Sequence, residues 1–165
     1  ESHFKQLLLA LKLLKDTNII FTLPNADKNG QIIIKLIKNF VRKNSNAKSF
    51  SSLGQLNYLS CIQFIDGVIG NSSSGLLEIP TFKKGTINIG ERQKGRVQAS
   101  SIINCRPEKR SIELAIKKLY SKKFKLQLRK TINPYGNGGA TKKIIKVIKN
   151  FNLDGILKKE FYNLD

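Results

Sequence analysis

Residues 66–79, "DGVIGNSSSGLLEI", place an apolar run, a break of small and polar residues and the opening of a helical pattern side by side. "DGVIG" (66–70) reads as a buried strand and "SSGLLEI" (73–79) as the first turns of a helix. A strand passing into a helix through glycine and serine is the repeating unit of a layered α/β domain. The same alternation extends in both directions. Upstream lie a helix at 2–15 with Ser2 at its N-cap, a strand "NIIFTL" (18–23), a helix at 31–43, a short strand "AKSFSS" (47–52) and a helix at 53–64. Downstream lie strands at 85–90 and 99–104, a helix at 107–120 with Pro107 in its first turn, and a helix at 138–151. The strand segments are four to six residues long, rich in Ile and Val, and apolar at successive positions, which suits a parallel sheet covered on both faces. The expected fold is a Rossmann-like, doubly wound α/β domain filling residues 1–165, with 152–165 as a tail or extra helix.

The chain has 165 residues, of which 40% are apolar, enough for one domain with a sizeable core. No apolar run approaches the ~18 residues of a membrane span. The start, "ESHFKQLLLALKLLK", is amphipathic and lysine-interrupted, unlike a secretory signal. With no methionine anywhere, the chain reads as a piece of a longer protein. Cys61 and Cys105 show no metal-binding or CxxC spacing, so free thiols in a cytoplasmic protein are expected. Neither a metal nor a cofactor is implied.

Thirty Lys and Arg against eleven Asp and Glu give a net charge of +19. Alone, that points to polyanion binding. Its distribution points elsewhere: the lysines of "KLIKNFVRK", "AIKKLYSKKFK" and "ATKKIIKVIK" fall between apolar positions, as on solvated helix faces. No recognition helix or aromatic-interleaved basic run is present, so no specific nucleic acid is expected as partner.

In open α/β sheets, ligands bind beyond the carboxyl ends of the strands. There, "GNSSSG" (70–75) would offer backbone N–H groups and hydroxyls to a phosphate. Ser72 and Ser73 would donate to a diphosphate, with Ser74 beside them, and Gly75 would let the helix begin close by. Glu78 lies one turn beyond Ser74, on about the same face, where a carboxylate would accept from ribose hydroxyls. The same spacing equally suits a serine cap and a surface glutamate. The stretch is neither G-x-G-x-x-G, nor a Walker A loop, nor G-x-S-x-G. The one histidine, His3, lies at the chain start in a lysine-rich helix, which argues against a serine triad. "NIGERQKGR" (88–96) follows the next strand and sets Arg92, Lys94 and Arg96 at the same edge. These cations would neutralise a diphosphate, or form an ordinary basic loop.

"GNSSSGLLEIPTFKKGTINIGERQKGR", together with "IFTLPNAD", "LGQLNYLS" and "NPYGNGGATKKII", closely resembles the hydrolysing UDP-N-acetylglucosamine 2-epimerases, and within them the subgroup serving sialic-acid-like sugars such as legionaminic acid. The resemblance runs from about residue 4 to 150. It implies a glycosyltransferase B-type arrangement of two Rossmann-like domains, of which this chain resembles the second. It also implies UDP held by Ser72, Ser73, Ser74, Gly75 and Glu78, with Arg92 nearby and Ser52 and Leu53 at the uracil. Asn25 and Asp27 of "LPNAD" would sit at the same edge, touching ligand or shaping the turn. The implied partners are a UDP-linked N-acetyl sugar, a missing N-terminal domain carrying the acid/base residues, and a second copy in a homodimer. No catalytic residue is implied within the chain. Two other functions stay open on the residues alone: the sugar-nucleotide domain of a glycosyltransferase, and a basic non-catalytic binding module.

Overall fold

The computed structural model describes residues 1–24 and 28–158, leaving aside the side chains of Lys28 and Asn29. Asn25 and Asp27 lie outside the described residues. The chain forms two compact units, Glu1–Tyr135 and Gly136–Asp165.

In the first unit strands and helices alternate: α1 (Ser2–Leu11), β1 (Ile19–Thr22), α2 (Lys28–Lys43), β2 (Ala47–Phe50), α3 (Gly54–Ile62), β3 (Gly67–Gly70), α4 (Ser74–Leu77), a 3₁₀ turn (Ile79–Phe82), β4 (Gly85–Ile89), β5 (Ile102–Cys105), α5 (Lys109–Tyr120) and α6 (Lys122–Arg129). Every strand pair is parallel. β1 pairs with β2, Ile19 opposite Ala47, and a second ladder runs β3–β4–β5, Gly67 opposite Gly85 and Thr86 opposite Ile102. Parallel neighbours require a crossover between them: α2 supplies it for β1 and β2, α4 with the 3₁₀ turn for β3 and β4, and the segment 90–101 for β4 and β5.

β4 is central in its ladder and buried from Gly85 to Asn88. Its successive side chains face opposite sides. A Cβ built on Gly75 of α4 would meet Thr86, and one built on Gly85 would lie 2.3 Å from Leu119 Cδ1 of α5. Helices therefore cover both faces of β4, and the sheet is doubly wound as expected. Gly85 and Gly75 are small because a helix side chain or a strand side chain already fills the space a methyl would take. One core of buried residues joins the two ladders, running from Leu11 of α1 through Phe21 and Phe40 to Ile87 and Ile112. Phe21 and Phe40 meet edge to face at 5.7 Å. β1 departs from the expectation of burial on both faces: Phe21 is in the core, while Ile20 is 47% exposed.

Several boundaries differ from the sequence reading. α1 stops at Leu11, and Glu1 rather than Ser2 holds its N-cap position. The helix expected at 73–79 is a single α-turn followed by the 3₁₀ turn, which carries Pro80 near its start; proline lacks the N–H that would continue an α-helix. The last strand is Ile102–Cys105, not 99–104, because the N–H of Ile102 turns back to the Ala99 carbonyl at 3.2 Å. Pro107 precedes α5, whose N-cap position is Glu108. Helix α6 was not anticipated. Ser121 starts it by accepting from the N–H of Phe124 at 3.2 Å, and Phe124 and Leu128, one turn apart, anchor it to the core.

The second unit holds α7 (Ala140–Asn150), entered through the left-handed Gly138 and Gly139. Its residues Ile144, Ile145, Val147 and Ile148 are exposed. Residues 152–158 have no helix of their own. Among the described residues no helix is long and apolar enough to cross a membrane.

Candidate functional site

The serine segment leaves the carboxyl end of β3 and enters α4 at Ser74. Gly75 is buried there, and its carbonyl accepts from Thr86 Oγ1 at 2.9 Å. The missing side chain lets α4 lie flush on β4. The three serines then differ. Ser72 is exposed, and its hydroxyl sits 3.4 Å from the N–H of Ser74. Ser73 occupies the N-cap position but makes no capping bond with its side chain. Among the described residues nothing accepts from the N–H of Ser72 or Ser73. Those two amides and the two hydroxyls are thus available to an anion at the head of α4.

Ser74 has a different role. Its Oγ donates to Glu78 Oε2 at 2.5 Å and lies 2.5 Å from the hydroxyl of Tyr58, on α3. A serine hydroxyl has one proton. With that proton committed to the carboxylate, Tyr58 is the donor to Ser74. The direction of the chain is therefore Tyr58 to Ser74 to Glu78. Glu78 is half-buried and oriented, with Oε1 free of any donor among the described residues. Burial raises the Tyr58 phenol above its ordinary 10.0, and the neighbouring Glu78 charge adds to this, against the lowering effect of the Ser74 bond. Tyr58 therefore stays protonated and remains a donor. The sequence reading passed it by: it lies 16 residues from Ser74, and the hydrogen bond between the two hydroxyls is what joins them.

The basic segment forms a tight turn after β4. Gly90 and Gly95 have φ of +75° and +81°, which a side chain rarely adopts. Arg92, Lys94 and Arg96 all point to solvent, and Lys94 reaches Glu91 at 3.6 Å. Gln93, between them, is 3% exposed, and its Nε2 donates to the Asn71 carbonyl at 2.8 Å. The turn bearing Arg92 is thereby fastened to the residue just before the serines. Farther on, Gln98 and Asn104 of β5 exchange amide hydrogen bonds, the shorter at 2.7 Å, and Asn88 of β4 donates to Asn104 Oδ1 at 2.8 Å. The "NPY" stretch braces the same region. Asn133 Nδ2 donates to the Leu77 carbonyl and to Thr81 Oγ1, each at 2.8 Å, while the Tyr135 hydroxyl donates to the Val97 carbonyl at 2.9 Å.

Ser52 and Leu53 precede α3. The Ser52 hydroxyl accepts from the N–H of Gly54 at 3.1 Å, and Gly54 is left-handed at φ +64°. They connect to the serines through α3 and Tyr58, not by direct hydrogen bond. Cys61 and Cys105 are free and half-buried, and burial raises the Cys105 thiol. Among the described residues no three His, Cys, Asp or Glu side chains gather as metal ligands.

A family model described as UDP-N-acetylglucosamine 2-epimerase matches residues 1–149. The chain belongs to the UDP-N-acetylglucosamine 2-epimerase family. Among curated relatives, a hydrolysing GDP/UDP-N,N'-diacetylbacillosamine 2-epimerase of Campylobacter jejuni is 46% identical over 99% of the chain and 43% of its own length. The polysialic acid biosynthesis protein P7 of Escherichia coli is 38% identical over 96% of the chain and 41% of its own length. The chain thus spans about two-fifths of the relatives it matches. In fold it is similar to the S. aureus MnaA–UDP co-structure, with a TM-score of 0.74 at 20% identity over 96% of this chain and 42% of that one. It is also similar to the Methanocaldococcus jannaschii UDP-GlcNAc 2-epimerase in complex with UDP-GlcNAc and UDP, with a TM-score of 0.71 at 19% identity over 90% of this chain and 41% of that one. The α/β class and parallel sheets expected of a 2-epimerase domain are those found.

Proposed function

We propose that this chain is the UDP-binding part of a hydrolysing 2-epimerase acting on a UDP-linked 2-acetamido sugar. The observation that carries the reading is the serine segment at the end of β3 in a chain of this family: two amides unpartnered among the described residues, two hydroxyls and an oriented carboxylate at Glu78. Ser72 and Ser73 take the diphosphate, with Gly75 admitting the chain's close approach and Ser74 aiming Glu78. Glu78 Oε1 accepts from the ribose hydroxyls, and Arg92 lies toward the diphosphate. Ser52 and Leu53 serve the uracil, and Asn25 the same edge.

In the reaction so proposed, the proton on C2 leaves as UDP departs from C1, and the resulting glycal is rehydrated on the other face to give free 2-epimeric sugar and UDP. Departure of UDP places charge on the diphosphate, which amides, hydroxyls and a guanidinium stabilise. Proton transfer at C2 needs a free acid/base carboxylate. The family resemblance assigns that step to a separate N-terminal domain, so the 165-residue chain alone is expected to turn over no substrate. The similarity to the diacetylbacillosamine epimerase and to protein P7 supports a sialic-acid-like sugar as the product's destination. The setting proposed with it is a homodimer in the cytoplasm.

Calorimetric titration with UDP tests the reading. Saturable binding is expected, and loss of one charge-assisted bond in Ser73→Ala or Glu78→Ala should weaken it about tenfold or more. No UDP binding, with steeply salt-dependent binding to an oligonucleotide instead, would replace it with a basic module.

A further inference from the structure

Resting on the UDP reading, we infer that Gln93 and Tyr135 are positioning residues that hold the cationic loop 90–98 at a fixed distance from the serine segment, so that both meet the same diphosphate. Gln93 is the one buried side chain of the turn 91–96, surrounded in sequence by exposed Arg92, Lys94 and Arg96. Its Nε2 holds the Asn71 carbonyl at 2.8 Å, and its Oε1 is buried with no partner among the described residues. A buried acceptor without a donor is costly, and an apolar residue of similar size would avoid that cost. Stability of the turn alone does not account for a glutamine there; the tie to Asn71 does. The second tie comes from the other end of the same loop. Tyr135 donates to Val97, and its neighbour Asn133 donates to Leu77, the last residue of α4. Loop and helix head are thereby referred to one short segment, 133–135. Neither Gln93 nor Tyr135 needs to touch the ligand for this. They act through Arg92, whose loop they hold.

Position matters most to the group that both walls share. In the full enzyme containing this chain, Gln93→Leu should weaken UDP about tenfold and Tyr135→Phe about threefold, with uridine binding unchanged in each. Tyr135→Phe removes only an exposed hydroxyl, so it tests the inference even where Gln93→Leu does not fold. A double-mutant cycle gives the decisive reading: once Arg92 is replaced by alanine, either change should cost little more, because the cation being positioned is gone. Equal losses for UDP and uridine, or effects that add fully to that of Arg92→Ala, would overturn the inference while leaving the UDP site intact. Wild-type enzyme that fails to bind UDP would instead overturn the reading on which it rests.

Discussion

Gly75→Ala sets two effects of known sign against each other. Gly75 lies in a helical turn, where alanine is ordinarily better than glycine by about 1 kcal/mol. Here the new Cβ would fall 2.6 Å from Thr86 Cγ2, closer than real Cβ atoms come. Thr86 cannot give way easily: it is 3% exposed on the central strand, branched at Cβ, and tied through Oγ1 to the Gly75 carbonyl. Overpacking of this kind costs about 1–3 kcal/mol. The balance is a net loss centred on about 1 kcal/mol, or roughly 3 °C in Tm at this chain length. Thermal and urea unfolding of the variant measure it. Thr86→Ser removes Cγ2 and keeps the donor, leaving Oγ1 at an ordinary 3.5 Å from the added methyl. In that background Gly75→Ala should be neutral or stabilising. A single variant that melts at or above the wild type, or a penalty that survives undiminished in the Thr86→Ser background, would refute the claim that α4 is seated by contact with β4.

The other expectations concern the hydroxyl chain, the missed helix and the ligand. Tyr58 titrates above its ordinary 10.0 in the folded state, so the stability it confers is complete below that pH and is lost as pH rises through the folded value. Alkaline unfolding curves should therefore show Tyr58→Phe gaining on the wild type above about pH 10; parallel curves would contradict the burial and charge assigned to the phenol. Ser121→Ala removes the cap on the Phe124 amide and should cost about 1 kcal/mol in urea unfolding. The UDP titrations of Ser73→Ala, Glu78→Ala, Gln93→Leu and Tyr135→Phe complete the set, separating residues that meet the ligand from those that hold the loop.

The alternation of elements was legible because parallel strands leave short apolar runs: "GTINIG" is such a run and is buried, while "DGVIG" reads the same way although β3 is only half-buried. The head of α4 was legible as the place where a strand passes into a helical turn, because glycine and serine interrupt the apolar run there, although the same residues equally suit a plain serine cap. What escaped reading depends on partners remote in the chain. Tyr58 looks like one more residue of an apolar helix until its hydroxyl is found bonded to that of Ser74. Gln93 looks like one more polar residue in a basic run until its burial is seen. Helix α6 was invisible because five of its eight residues are Lys, Gln or Arg, and a Phe–Leu pair one turn apart is too short a signal for periodicity. Pro107 was placed inside a helix because proline favours a first turn, yet here it merely precedes one.

Helix α7 has a consequence for handling the protein. Ile144, Ile145, Val147 and Ile148 lie open to water beside Lys142, Lys143, Lys146 and Lys149. The greasy strip invites any two molecules to stick, and the ammonium groups, in a chain of net charge +19, hold them apart. Such a chain is expected to behave as a charge-stabilised colloid, dispersed in dilute buffer and associating as added salt shortens the reach of that repulsion, which light scattering across a salt series would measure.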